Sequence, residues 1–238
     1  MNISPPPAQD LPAATEQNTA NDATDTQCWG KQAGRPRAAD KQARQLALLH
    51  TAAQLFLEKG YGKVSLEMIA RAAHVAVRTI YVKFGGKAGL LNAIIVEGRA
   101  HFFESMHDME TDTRPIKEIL TDFSLRFLEL VTMPAFEGMY RMVIAEAKTT
   151  PELAQTFFQA GPKQTREQLA RFFARPEIRA QLREDVPLEA LPVHLLNSVM
   201  GDQLMPTLFG LGNPSEAENQ ARVEQGLNLF LAGVLRKD

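Results

Sequence analysis

Apolar residues between positions 40 and 90 recur at helical rather than alternating intervals. Leu48, Leu49, Ala52, Ala53, Leu55 and Phe56 share one broad face, which predicts an amphipathic helix over about 41–59. Gly60 follows Glu58-Lys59 where a left-handed residue closes such a helix. Ser65 stands as an N-cap before Leu66-Glu67-Met68-Ile69-Ala70-Arg71-Ala72-Ala73. After a break at His74 a second short helix runs from Ala76 to Phe84, with Val75, Ile80 and Phe84 inward and Ala76, Val77, Arg78, Tyr81 and Lys83 outward. Two short helices, a tight turn and a basic outer face describe a helix-turn-helix over about 66–84. A longer helix follows over about 87–107.

Beyond residue 114 the pattern changes but stays helical. Pro115, Pro134, Pro151, Pro162, Pro176 and Pro187 mostly head stretches of helical period, as prolines do in a first turn. Ile116, Ile119, Leu120, Phe123, Phe127 and Leu130 keep the 3.6-residue repeat, and so do Val223, Leu227, Phe230, Leu231 and Val234. Two long amphipathic elements are expected at about 188–209 and 215–236, the first kinked or shortened by Pro192 and Pro206. No alternating run of β-branched residues is long enough for a sheet, so the expected fold class is all-α.

Composition divides this chain of 238 residues into three parts. Residues 1–38, rich in Pro, Ala, Thr, Asn and Asp, bury too little apolar surface to offset ordering and are expected to form a disordered tail. Residues 39–90 hold the helix-turn-helix, and 91–238 a second helical domain. The lone Cys28 allows no internal disulfide, the N-terminus has neither a basic nor an apolar signal region, and no run reaches the ~18 apolar residues of a membrane span. Together these predict a protein of the reducing cytoplasm, with no membrane partner. The net charge of −2 conceals a split: residues 1–30 carry −4, residues 31–99 carry twelve Lys/Arg against four acids, or +8, and the remainder carries −6. One cationic third in an otherwise acidic chain points to a polyanionic partner, with double-stranded nucleic acid first.

Candidate chemistry beyond this is sparse. Gly85-Gly86-Lys87 lacks the glycine six positions before the lysine and the hydroxyl after it that a phosphate loop needs. Glu97, His101, Glu104 and Asp108 share a helical face, which reads as solvated surface rather than a metal site. No motif assembles a nucleophile, a base and an oxyanion hole, so an enzyme is not expected, nor a cofactor or metal. Met139, Met142, Phe157, Phe158, Met200 and Met205, with Phe123 and Phe127, could line an adaptable apolar pocket.

The cationic segment resembles the tetracycline-repressor (TetR) family of bacterial regulators. Leu48-Leu49, Phe56, Gly60-Tyr61, Val64-Ser65, Ile69-Ala70, Ala73-His74-Val75-Ala76, Thr79-Ile80-Tyr81, Lys83-Phe84 and Lys87 occupy the places of that family's N-terminal motif at its spacing. Pro151-Glu152-Leu153-Ala154 and Ala160-Gly161-Pro162 resemble its AefR-like subgroup. Four positions depart from the pattern. His74 replaces the usual turn glycine, Ala76 a capping hydroxyl, and Gly86 and Ala88 the residues that open the next helix.

The resemblance implies a homodimeric repressor that binds palindromic operator DNA and is released by a small apolar effector, with dimerisation through the last two long helices. Arg78, whose guanidinium matches guanine O6 and N7, is expected to read bases. Tyr81, Lys83 and Lys87 resemble the family's phosphate-contacting residues. Ser65 and Arg44 are expected to hold the flanking backbone, and Ala76, Val77, Thr79 and Val82 to complete the contact surface. The competing reading is an α-helical interaction module or small enzyme whose basic surface is incidental.

Overall fold

A computed structural model describes residues 38–103 and 109–236. The expected tail and Cys28 lie outside the described residues, save for Ala38, which opens the first helix three residues before the expected start. Helix α1 (Ala38–Lys59) buries Leu48, Leu49, Ala52 and Phe56 and ends at Gly60, whose φ of +83° lets its N–H return to the Phe56 carbonyl at 3.0 Å. Helix α2 (Leu66–Ala72) begins where the Ser65 hydroxyl accepts the Met68 N–H at 3.3 Å. Helix α3 (Val77–Phe84) buries Ile80, and α4 (Lys87–Phe103) runs on from it.

Of the four departures, two have visible structural consequences. His74 sits at φ +53°, the left-handed conformation that a glycine would take without strain. Ala76 caps α3 with no side-chain hydrogen bond. Ala76→Ser should therefore stabilise the fold by about 1 kcal/mol, because a hydroxyl there accepts an otherwise orphaned N–H. A denaturant midpoint that fails to rise would show that this end of α3 is satisfied in another way.

The C-terminal elements are α5 (Ile116–Thr132), α6 (Pro134–Glu146), α7 (Pro151–Ala160), α8 (Pro162–Ala174), α9 (Pro176–Arg179), α10 (Leu191–Met200), α11 (Leu204–Leu208) and α12 (Glu216–Val234). Prolines stand at the head of α6, α7, α8 and α9, where their missing N–H costs no helical bond. Helix α12 starts with a complete capping box between Ser215 and Glu218. The single helix expected at 188–209 is two: Gly201, at φ +55° and ψ −130°, breaks the run between α10 and α11. Pro192 produces no kink, because it falls within the first turn of α10. The described residues contain no strand, only an antiparallel bridge between Leu182 and Leu235.

Two apolar clusters hold these helices. One joins α5, α8, α10 and α12 around Phe123, Phe172, Phe173, Leu195, Leu227 and Phe230. The other packs α1–α4 around Phe56, Ile69, Ile80 and Leu90, and it also takes in Met139, Met142 and Val143 of α6 and Leu153 and Phe157 of α7. Each fully buried side chain of this size contributes about 1.5–3 kcal/mol. The helix-turn-helix thus shares its core with the helices that follow it, and everything from Ala38 onward forms one unit.

Candidate nucleic-acid interface and ligand cavity

Helix α3 presents Arg78, Tyr81, Val82 and Lys83 to solvent, with Tyr81 55% and Val82 75% exposed. A valine and a tyrosine so bare, flanked by two cations, form a surface that desolvates readily against base edges and sugars. Ala76 is exposed and Thr79 half-buried. Val77, expected outward, is also half-buried and packs on the helix-turn-helix core, so the outer face is narrower than its sequence pattern suggested. Arg44 on α1 is exposed, as is Ser65, whose hydroxyl oxygen already accepts the Met68 N–H. Among the described residues Arg44, Arg78 and Lys83 enter no ion pair, which leaves their full charge for an external anion.

Lys87 has a different setting. It is half-buried, and its ammonium lies 4.2 Å from the centre of the Tyr61 ring, a cation–π contact that ties the start of α4 to the α1–α2 turn. Burial lowers its pKa, opposed by the carboxylates of Glu146 and Glu152. The Tyr61 hydroxyl is pushed up to about 12, first by burial and then by those same two carboxylates. Glu146, at the C-terminal end of α6, accepts the Gly62 N–H at 2.6 Å, so α6 grips the turn on which the reading helices hang.

A cavity of about 360 Å³ opens behind this assembly. Its walls come from α1, α4, α5, α6, α7, α8, α10 and α11. Of the expected lining residues it brings together Phe127, Met139, Phe157 and Met200. Phe123 instead lies fully buried in the C-terminal core, stacked on Phe127 with 6.1 Å between ring centres. Met142 belongs to the helix-turn-helix core, Met205 is exposed, and Phe158 faces solvent beneath the Arg166 guanidinium at 5.5 Å.

Several wall residues escaped the sequence reading. Phe136 and Tyr140 flank Met139 at helical spacing on α6, an aromatic stripe that could have marked the wall. Ile94 and Ile95 lie on α4, which is apolar on more than one face and so gives no single direction. Thr165, with its hydroxyl on the Gly161 carbonyl, Asn197, Arg99 and Arg166 are polar residues that the apolar pattern could not reveal. Of the weak metal candidates, Glu104 and Asp108 lie outside the described residues, and no group of three potential ligands occurs among those described. Nor is any helix among the described residues long and apolar enough to cross a membrane.

Known proteins share both halves of this arrangement. Residues 48–94 match the family model described as bacterial regulatory proteins, tetR family, and residues 118–233 match that of the AefR-like transcriptional repressor, C-terminal domain. The HTH-type transcriptional regulator UidR of Escherichia coli is 23% identical over 203 residues, which is 82% of this chain and 95% of that protein. The solved structure of the flavonoid-responsive regulator FrrA superposes with a TM-score of 0.68 at 26% identity, covering 83% of this chain and 100% of that one. A TetR regulator from Agrobacterium tumefaciens has the same fold, with a TM-score of 0.63 at 23% identity over 82% of this chain and 95% of its own. A helix-turn-helix with a bare cationic reading helix, seated on the AefR-like helical body, makes this chain a member of the TetR family of DNA-binding transcriptional regulators.

Proposed function

We propose that the chain is a homodimeric repressor that binds palindromic operator DNA through α3 and is released when a small, largely apolar molecule occupies the cavity. The observation that carries the reading is the unpaired cationic face of α3. Its charge has no partner within the described residues and is set on a helix-turn-helix. One such domain reads one half-site, and two copies are needed to reach successive major-groove faces about 34–36 Å apart. The dimer forms through α10 and α12, and Leu229 on α12 is 72% exposed. FrrA, a relative of similar fold, is by its name responsive to a flavonoid. The largely apolar cavity gives this chain the means for a comparable response.

Release follows from linkage: a ligand weakens DNA binding only by favouring a conformation in which the two reading helices are wrongly spaced. Helix α4, which starts at the reading head and forms one wall of the cavity, carries that change.

The reading divides labour along α3. Arg78 reads bases, so Arg78→Ala should cost about 1–3 kcal/mol on the cognate site and little on random DNA. Lys83 holds phosphate, so Lys83→Ala should weaken both duplexes alike and make the slope of log affinity against log salt shallower by about one. Gel shifts with the DNA upstream of the gene, cognate and scrambled, across a salt series measure both. A Lys83 variant that lost discrimination but kept its salt slope would reverse the two roles. The absence of any competitor-resistant band would return the chain to the reading of an interaction module or small enzyme.

A further inference from the structure

The cavity is mainly apolar, with Thr165, Asn197 and two arginines among its lining residues. Arg99 on α4 stands in a wall built mostly of Phe127, Phe136, Met139, Leu196 and similar residues. Its Nε is buried without an acceptor, and among the described residues the side chain enters no hydrogen bond or ion pair. Among the described residues no aspartate or glutamate lines the cavity, whereas a second guanidinium, Arg166, does. A guanidinium partly withdrawn from water with no counter-charge is costly, and burial accordingly presses the Arg99 pKa below its ordinary value. Arg141, by contrast, pairs with Glu137, and Arg114 with Asp112 and Asp122.

We propose that the ligand of this cavity is an amphiphilic organic anion, an aromatic or aliphatic body of up to about 360 Å³ bearing one acidic group that pairs with Arg99. This deepens the effector reading above and rests on it. The apolar walls take the body of the ligand by burial, and the guanidinium selects its charge, offering a carboxylate or sulfonate two parallel N–H donors. Because Arg99 belongs to α4, neutralising it acts directly on the helix that reaches the reading head.

Two dyes with the same apolar body separate the charge from the cavity. They are 1-anilinonaphthalene-8-sulfonate and its uncharged counterpart N-phenyl-1-naphthylamine, titrated by fluorescence into the full chain. The sulfonate should bind at least tenfold tighter, an advantage of the size expected for a charged hydrogen bond. Arg99→Met, which keeps length and packing, should abolish that advantage and leave the neutral dye unchanged, while Arg99→Lys should retain most of it. Leu130→Trp, which fills the cavity from α5, should expel both dyes and so place them there. Equal binding of the two dyes to the unaltered chain, or an Arg99→Met variant that keeps its preference for the sulfonate, would overturn the anion assignment. Failure of both dyes to bind, or binding that survives Leu130→Trp, would instead fall on the effector reading itself.

Discussion

Gly89→Ala should abolish operator binding and destabilise the chain by about 3 kcal/mol or more. A β-carbon on Gly89 would lie 1.7 Å from the carbonyl oxygen of Phe84 and 2.9 Å from its carbon, both of them backbone atoms. No rotamer change relieves such a clash, so α3 and α4 must separate. Leu90 and Leu91, fully buried beside the junction, would lose their packing, and the cost falls at the upper end of overpacked cores or above it. Gly98, nine residues later in the same helix, has nothing within 4 Å of an added β-carbon. Gly98→Ala is therefore the matched control, expected to stabilise by up to about 1 kcal/mol. Melting curves and gel shifts on the two variants decide the matter, and a Gly89→Ala protein that still bound operator within tenfold would disprove the packing given to α3 against α4.

Glu146→Ala should leave operator affinity within about threefold and remove most of the response to effector. Helix α6 carries the cavity wall at Phe136, Met139 and Tyr140 and ends at Glu146, whose carboxylate accepts the Gly62 N–H in the α1–α2 turn. Closer to its middle, Arg141 Nε donates to the Leu208 carbonyl at 2.8 Å, which ties the same helix to α11. A ligand that shifts the aromatic stripe therefore pulls on the turn through one carboxylate. The bond is exposed, so its own contribution to stability is about 1 kcal/mol. Coupling free energies in such systems run about 1–3 kcal/mol, so losing the tie should cut the effector-induced drop in operator affinity by roughly tenfold. Glu146→Gln keeps an acceptor and should keep much of the response. Binding isotherms with and without effector measure the factor, and a full response in Glu146→Ala would leave α4 as the sole carrier.

What the chain reveals in one dimension and what it hides differ for physical reasons. Helices declare themselves by local signals. The stripe from Leu48 to Phe56, the cap at Ser65, the positive φ at residue 74 and the buried run from Val223 to Val234 all depend on residues within a turn or two of one another. The cavity has no such signature. Phe123 and Phe127 stand one turn apart on the same face of α5, yet one is core and the other wall, because the difference lies in what α6 and α10 leave open. The run at 188–209 reads as one helix with awkward prolines, and its break depends on Gly201, whose unusual backbone leaves no pattern in its neighbours. Glu146 and Gly62 are 84 residues apart, and Arg99 counts in sequence only as one more base in the cationic third. Neither distance nor the lack of a counter-ion can be read from a string.

The shared core has a consequence for how such regulators can be recombined. Met139, Met142, Val143, Leu153 and Phe157 sit in the same apolar cluster as Phe56 and Ile80, so the unit that reads DNA is not a cassette ending near residue 90. A chimera cut there would graft a reading head with nearly a third of its interior missing onto a body with five apolar side chains facing an unfamiliar surface. The transplantable module is α1–α4 together with α6 and α7, which means that operator choice and the cavity wall travel together in this architecture. Exchanging one without the other requires redesigning the seam between them rather than choosing a linker.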